Sequence, residues 1–187
     1  MTAYVFGYGS LVNRATHTFD AAHLARISGW RRAWRHVVGR QVAFLTAVPD
    51  PASELDGLIA NVPDEGWAEL DAREHSYDRQ LAHDVAHQLG PDTAVHIYHA
   101  PPERHVPTSH LHPVILSYLD VVVQGYFREF GEDGVLRFFE TTDGWDAPIL
   151  DDRQAPVYPR HQRLTPQEVE LVDRNLKHIG ATVIRAP

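Results

Sequence analysis

Near its start the sequence reads Val5-Phe6-Gly7-Tyr8-Gly9-Ser10-Leu11, and this segment carries the most structural information in the chain. The apolar and aromatic run 3–8 predicts a short strand, and the two glycines predict a tight turn after it. Such a turn can point successive N–H groups into one concavity, which suits a carboxylate or a phosphate. Valine at position 12 and the lack of a following Walker lysine exclude the common nucleotide-binding motifs. The segment therefore indicates either a small-anion site or ordinary turn chemistry.

Length and composition restrict the remaining possibilities. The 187 residues include 43% hydrophobic and 22% charged residues, so we expect one globular domain spanning 1–187. The sequence has no cysteine, which excludes disulfides, thiolate catalysis and cysteine-ligated metals. A net charge of −8 argues against a nucleic-acid partner. No apolar run approaches the roughly 20 residues that span a bilayer, and the first residues lack signal-peptide features, so we expect a cytoplasmic protein without a membrane partner.

The pattern of apolar residues predicts a mixture of strands and helices. Strands are expected at 30–38, 41–48, 55–62, 81–87 and 93–99, with a turn at Gly39-Arg40 and a break at Pro49-Asp50-Pro51. Helices are expected at 19–27, 66–73, 114–130 and 166–179, and residues 101–113 are expected to form a loop. The last helix has the clearest signals, namely a capping box from Thr165 to Glu168 and a terminating Gly180.

Residues 141–163 form a long segment that is rich in Asp, Pro and Gly. Loops of this length within a compact domain are usually functional or disordered. Trp145 and Tyr158 favour an ordered flap. A lid that selects the ligand and a purely structural segment are both consistent with this sequence.

Glu74 is the candidate catalytic residue, within Leu70-Asp71-Ala72-Arg73-Glu74-His75-Ser76-Tyr77. It follows an apolar helical face and precedes an aromatic residue, so we expect its side chain to be partly buried. Burial raises the pKa of a carboxyl group and allows it to act as a general acid or base near neutral pH. A solvated charge at a helix end is the alternative.

The thirteen histidines do not predict a metal site. His110-Leu111-His112 has a spacing used by metal ligands, but residues 113–117 contain no glutamate. His96 and His99 fall on opposite faces of a strand. We therefore expect loop and surface histidines, and no metal.

Arginines alternate with aromatic residues in the segment 26–40. Such a pattern occurs in proteins that bind single-stranded nucleic acid, but the negative net charge favours a strand whose arginines face solvent. A role for one of these arginines in holding a substrate carboxylate stays open.

Together these segments resemble the γ-glutamylcyclotransferase-like superfamily, which includes the ChaC and AIG2-like proteins. Residues 5–11 look like its FGYGSL substrate loop, and residues 70–77 look like its L-D-x-R-E…Y segment. Gly57 falls in a glycine-containing strand, and Tyr118, seven residues before Gly125, resembles the tyrosine of the helix that closes the pocket. The similarity covers about residues 3–130.

The resemblance implies an α+β fold in which a small mixed β-barrel is flanked by helices. It implies that Glu74 is the catalytic acid and base, and that Tyr118 hydrogen-bonds the substrate. The α-carboxylate of a small γ-glutamyl amine or peptide would be held by backbone groups of Val5, Phe6, Gly7, Tyr8, Gly9 and Ser10. The implied product is 5-oxoproline, and no metal or other cofactor is implied.

Two other functions are also consistent with the sequence. One is a binding module for a γ-glutamyl or similar small anionic ligand, in which Glu74 is only structural. The other is transfer of a γ-glutamyl group to an amine. ChaC-type proteins have two glycines where this chain has His75-Ser76, which puts glutathione in question as the substrate. The sequence does not indicate the oligomeric state.

Overall fold

A computed structural model of the chain describes residues 3–37 and 39–185. These residues form eleven strands, namely β1 Ala3–Gly7, β2 His23–His36, β3 Phe44–Val62, β4 Asp78–Leu81, β5 Val85–His87, β6 Ala94–His99, β7 Val106–Pro107, β8 Val114–Ile115, β9 Thr142–Asp143, β10 Ile149–Asp151 and β11 Val183–Arg185. They also form three helices, namely α1 Gly66–Arg73, α2 Leu116–Glu140 and α3 Pro166–His178. None of these helices is long and apolar enough to cross a membrane.

The strands form a curled half-barrel with β1 near its middle. The main sheet has the order β4-β6-β1-β3-β2-β5, and β7 and β9 pair with β2. Strand β1 is antiparallel to β3 and parallel to β6. A second sheet contains β11, β10 and β8. This arrangement confirms the predicted α+β fold with a small mixed barrel flanked by helices.

Helix α2 packs against the turn that follows β1. A side chain at Gly125 would place its Cβ only 2.7 Å from the backbone nitrogen of Asn13. The side-chain amide of Asn13 donates to the carbonyl of Val121 at 3.0 Å and to Gln124 Oε1 at 2.9 Å. The helix and the turn are therefore fixed to each other by both steric fit and buried hydrogen bonds.

The helix predicted at 19–27 is wrong, because β2 already begins at His23. Ala25 and Ile27 are buried, whereas Leu24 and Arg26 are exposed. This alternation has the two-residue period of a strand with one buried face. Pairing with β3 outweighs the weak helical pattern.

The break predicted at Pro49-Asp50-Pro51 is also wrong, because β3 continues from Phe44 to Val62. Trp30 of β2 pairs with Pro49, whereas Ser28 pairs with Glu54, so an irregularity in the register accommodates the prolines. Proline is tolerated in a strand at such bulges because no ladder hydrogen bond is needed there.

The C-terminal half contains more regular structure than expected. Helix α2 continues past residue 130 to Glu140, across a kink at Gly131, where φ is 67°. Residues 141–163 include β9 and β10. Helix α3 has the predicted capping box, and Gly180 has the left-handed φ of 70° that suits a helix end.

In the predicted strand 30–38, residue 38 lies outside the described residues.

A close contact between glycines holds β3 against the end of β1. A Cβ at Gly57 would overlap the carbonyl oxygen of Gly7 and lie 2.7 Å from Phe6 Cζ. A Cβ at Gly7 would lie 2.5 Å from the Cβ of Leu11. The backbone therefore fits here only because both positions lack a side chain.

We expect Gly57→Ala to lower the free energy of unfolding by about 1–3 kcal/mol, because the added methyl group has no space. Urea denaturation measures this change. Gly90→Ala is the matched control, since nothing lies within 4 Å of a Cβ at that position. A similar loss in both variants would contradict the steric explanation.

Candidate active site

Two adjoining cavities lie where the turn after β1 meets the end of α1. The inner cavity, of about 50 Å³, is lined by the turn residues Phe6 to Leu11 together with Leu45, Glu74, Tyr77, Tyr98 and Tyr118. The outer cavity, of about 240 Å³, shares five of these residues, namely Ser10, Leu45, Glu74, Tyr77 and Tyr118. Glu74 therefore lies at the boundary between the two spaces.

The glycine turn leads directly into a short 3-10 helix, Ser10–Val12. The N–H of Val12 donates to the Gly9 carbonyl at 3.0 Å. The first N–H groups of any helical turn lack partners within the helix. A Cβ at Gly9 would lie 2.7 Å from the hydroxyl of Tyr118. The absence of this side chain lets Tyr118 approach the turn.

Glu74 is the residue that ends α1. Its side chain is 19% exposed, and its Oε1 lies 3.1 Å from Nε of Arg73. Arg73 also donates to Ser10 Oγ at 3.3 Å and to the Thr16 carbonyl at 3.2 Å. Arg73 thus connects the carboxylate of Glu74 to the glycine turn.

Burial raises the pKa of Glu74 above its ordinary value. The positive charges of Arg73, Arg160 and His75 act in the opposite direction and lower it, but burial is the largest effect. A carboxyl group with this balance gains a proton more readily than a solvated glutamate, which suits proton transfer near neutral pH.

Four tyrosines surround the cavity. The Tyr8 hydroxyl donates to the Tyr98 carbonyl at 2.7 Å, and the Tyr77 hydroxyl donates to the Leu45 carbonyl at 2.8 Å. Burial raises the pKa of all four, Tyr8, Tyr77, Tyr98 and Tyr118. They therefore stay neutral and serve as hydrogen-bond donors. Among the described residues that line the inner cavity, Glu74 is the one carboxylate.

Arg32 is buried and connects to the glycine turn through Tyr126. This position corrects the expectation that the arginines of 26–40 all face solvent. Its side chain is 1% exposed, and its Nη1 donates to the hydroxyl of Tyr126 at 2.7 Å. That hydroxyl can donate its one proton to the Asp56 carbonyl at 2.7 Å or to the Tyr8 carbonyl at 3.0 Å. This buried contact joins β2, β3, α2 and the turn.

The structure brings together most of the predicted site residues. Phe6, Gly7, Tyr8, Gly9, Ser10, Tyr118 and Glu74 all line the inner cavity. Val5 does not line it, because its backbone pairs within the sheet and its side chain packs in a second apolar cluster. The described residues contain no group of three His, Asp or Glu that could hold a metal ion.

Sequence reasoning missed several residues that line the outer cavity. Arg40 and Arg160 both lie there, 120 positions apart in the sequence. Arg40 belongs to the basic segment and Arg160 to the candidate lid, so both segments carried a signal, but no pattern indicated that they meet. Arg73, next to Glu74, gave no sign of its contacts with the turn.

The raised pKa of Glu74 makes the stability of the protein depend on pH. Because the pKa of Glu74 is raised on folding, the folded chain holds this proton more tightly than the unfolded chain, and stability falls as pH rises above the unfolded pKa. We expect Glu74→Gln to melt a few degrees above wild type at pH 7, with the difference vanishing near pH 4. Glu69→Gln, an exposed change on the same helix, is the control. A lower melting temperature for Glu74→Gln at pH 7 would contradict this balance of effects.

The hydroxyl of Tyr126 contributes to stability through its buried hydrogen bonds. Tyr126→Phe removes the buried hydroxyl that accepts from Arg32 Nη1 and donates to a backbone carbonyl, so we expect the free energy of unfolding to fall by about 1–3 kcal/mol in urea denaturation. Tyr4→Phe is the control, since the Tyr4 hydroxyl donates to no protein group within 3–37 and 39–185. Equal effects in the two variants would contradict the supporting role of Tyr126.

Comparisons with known proteins bear on the fold and on the family of this chain. No curated protein sequence matches the chain. A solved structure named "Gamma-glutamyl cyclotransferase" has 14% sequence identity and a TM-score of 0.59, with 93% of this chain and 99% of that chain covered. An uncharacterized protein from Homo sapiens has 14% identity and a TM-score of 0.59, with 92% and 98% covered. YkqA from Bacillus subtilis has 18% identity and a TM-score of 0.52, with 76% and 56% covered.

These structural similarities concern the fold, because all three identities are low. The sequence itself matches a protein family over residues 5–116, which include the glycine turn and Glu74. The matched region is more than half of the chain. The chain belongs to the family described as "Gamma-glutamyl cyclotransferase, AIG2-like".

Proposed function

We propose that this protein releases 5-oxoproline and a free amine from small γ-glutamyl compounds. The observation that carries the proposal is the position of Glu74, a carboxylate of raised pKa that lines one cavity together with the glycine turn. Membership of the γ-glutamyl cyclotransferase, AIG2-like family supports the same reaction class.

The reaction needs little beyond substrate folding and proton transfer. The α-amine of the γ-glutamyl group attacks its own γ-carbonyl carbon, and a five-membered ring closes as the bond to the leaving nitrogen breaks. The nucleophile and the electrophile belong to one molecule, so holding them in the right conformation supplies much of the acceleration. The α-amine loses one proton and the leaving nitrogen gains one, so the reaction neither consumes nor releases a proton.

In this proposal Glu74 takes the proton from the α-amine and returns it to the leaving nitrogen. N–H groups of the glycine turn hold the α-carboxylate and stabilise the developing oxyanion. The neutral hydroxyl of Tyr118 hydrogen-bonds the substrate near the turn. Arg73 keeps the Glu74 side chain oriented toward the turn through its bonds to both. These roles use only side chains and backbone of this chain.

A non-catalytic binding module is the second candidate. The ion pair between Arg73 and Glu74, at 3.1 Å, favours it, because a carboxylate held by an arginine can be purely structural. The raised pKa of Glu74 favours the enzyme, since an ion pair alone would lower the pKa. The two candidates differ in whether any product forms.

The test is release of 5-oxoproline from γ-glutamyl amino acids, γ-glutamylamines and glutathione. We expect wild type to form product, and Glu74→Gln to lose about 10²–10⁴-fold in kcat, because proton transfer by a placed side chain is worth about that much. Glu69→Gln should retain activity, since Glu69 is exposed on the same helix.

Two results would reject this mechanism. Full activity in Glu74→Gln would show that another group moves the proton. No product from any substrate, with γ-glutamyl compounds still raising the melting temperature of wild type, would establish the binding module instead.

A further inference from the structure

The outer cavity carries an excess of positive charge. Arg40, Arg73 and Arg160 line it, and Glu74 is its one carboxylate among the described residues. Arg73 already forms an ion pair with Glu74 and donates hydrogen bonds to Ser10 Oγ and to the Thr16 carbonyl. Two further arginines thus line a cavity of a chain whose net charge is −8.

Neither of these two arginines has a carboxylate partner within residues 3–37 and 39–185. Arg40 donates to the hydroxyl of Ser76, which carries no charge. The guanidinium of Arg160 forms no hydrogen bond or ion pair in that part of the chain. By contrast, Arg31, Arg137 and Arg153 on other surfaces each pair with an aspartate. The outer cavity therefore presents two guanidinium groups that have no carboxylate partner in the described residues, and guanidinium groups bind carboxylates in a planar, bidentate manner.

Arg160 is held beside the cavity by the segment that precedes it. Asp152 is 3% exposed, and its carboxylate accepts from the N–H of Ser117 at 2.7 Å and from the N–H of Val157 at 2.8 Å. The N–H of Tyr158 donates to Ser117 Oγ at 3.1 Å. The rings of Tyr158 and Tyr118 pack edge to face, and their centroids lie 5.0 Å apart. Residues 152–158 are thus fastened to the start of α2, and they position Arg160 two residues later.

The location of Glu74 fixes which part of a substrate reaches these arginines. If Glu74 moves a proton between the α-amine and the leaving nitrogen, both atoms lie next to it. The γ-glutamyl end then occupies the inner cavity by the glycine turn, and the leaving group extends into the outer cavity. The positive charge of Arg160 lowers the pKa of Glu74, which is consistent with the guanidinium lying near this carboxylate.

We infer that Arg160, assisted by Arg40, binds a carboxylate carried by the leaving amine, so that the preferred substrates are γ-glutamyl amino acids or peptides and not γ-glutamyl derivatives of uncharged amines. This inference rests on the proposed function. It assigns the second half of residues 141–163 to substrate selection, and the first half, with β9 and β10, to structure.

The test compares γ-glutamyl-alanine with γ-glutamyl-alaninamide, which differ only in the carboxylate of the leaving group. Binding is measured by calorimetry to the Glu74→Gln protein, so that turnover does not interfere. We expect the acid to bind about tenfold or more tightly than the amide, as for a charge-assisted hydrogen bond. Arg160→Gln in this background should bring the ratio close to one by weakening the acid alone, and Arg40→Gln should reduce it less.

Two further variants separate charge from structure. Arg160→Lys keeps the charge and should retain part of the preference. Arg163→Gln removes an exposed arginine from the same segment that lines a different cavity, and it should leave the ratio unchanged. The ratio of kcat/KM for the two compounds in wild type provides the same comparison without the Glu74 substitution.

Several outcomes would overturn the inference. Equal affinity for the acid and the amide, or a preference unaffected by Arg160→Gln and Arg40→Gln, would do so. Equal weakening of both compounds by Arg160→Gln would place the shared α-carboxylate on Arg160 instead. Failure of the proposed function is a separate result, because it appears as absence of 5-oxoproline from wild type while the binding ratio is still measured. Absence of binding by both compounds, together with absence of 5-oxoproline from wild type, would reject both ideas.

Discussion

The site depends on one steric constraint, which is that the turn after β1 is enclosed on two sides without space for side chains. Strand β3 contacts it at Gly57, and α2 contacts it at Gly125. Close packing of this kind transmits small changes in volume directly to the backbone. The position of the turn, and of any ligand bound to it, is therefore fixed by the sheet and by α2 together.

Buried polar groups complete this enclosure. The Tyr126 hydroxyl accepts from Arg32 and lies within hydrogen-bond distance of the Tyr8 carbonyl in the turn. On the opposite side, Arg73 joins Ser10 of the turn to Glu74 of α1. A hydrogen bond made in a buried site is costly to lose, so these contacts hold the turn and the carboxylate in one relative position. That rigidity is what a proton-transferring group requires, because proton transfer depends on short distances.

The inner and outer cavities differ in their chemical groups. The inner cavity is lined by backbone groups, neutral tyrosines and one carboxylate of raised pKa. The outer cavity is lined by arginines and by the aromatic ring of Tyr158. A ligand with a compact polar end and an extended second part matches this division. Apart from Tyr118, the residues of the inner cavity come from the part of the chain that matches the family, whereas Tyr118, Tyr158 and Arg160 lie beyond residue 116, where the match ends.

Local patterns in the sequence were sufficient for β1, the glycine turn, α1 and the capping box of α3, because each depends on residues that are neighbours along the chain. The helix expected at 19–27 failed because cross-strand pairing with β3 decided the conformation of residues 23–27. The burial of Arg32 needed Tyr126 from another element, and the convergence of Arg40 and Arg160 on one cavity needed the folded chain. By itself the sequence determined that a glycine turn follows β1 and that a glutamate stands at the end of α1. Only the tertiary structure decided what surrounds them, since contacts between distant residues have no periodicity or spacing in a single sequence.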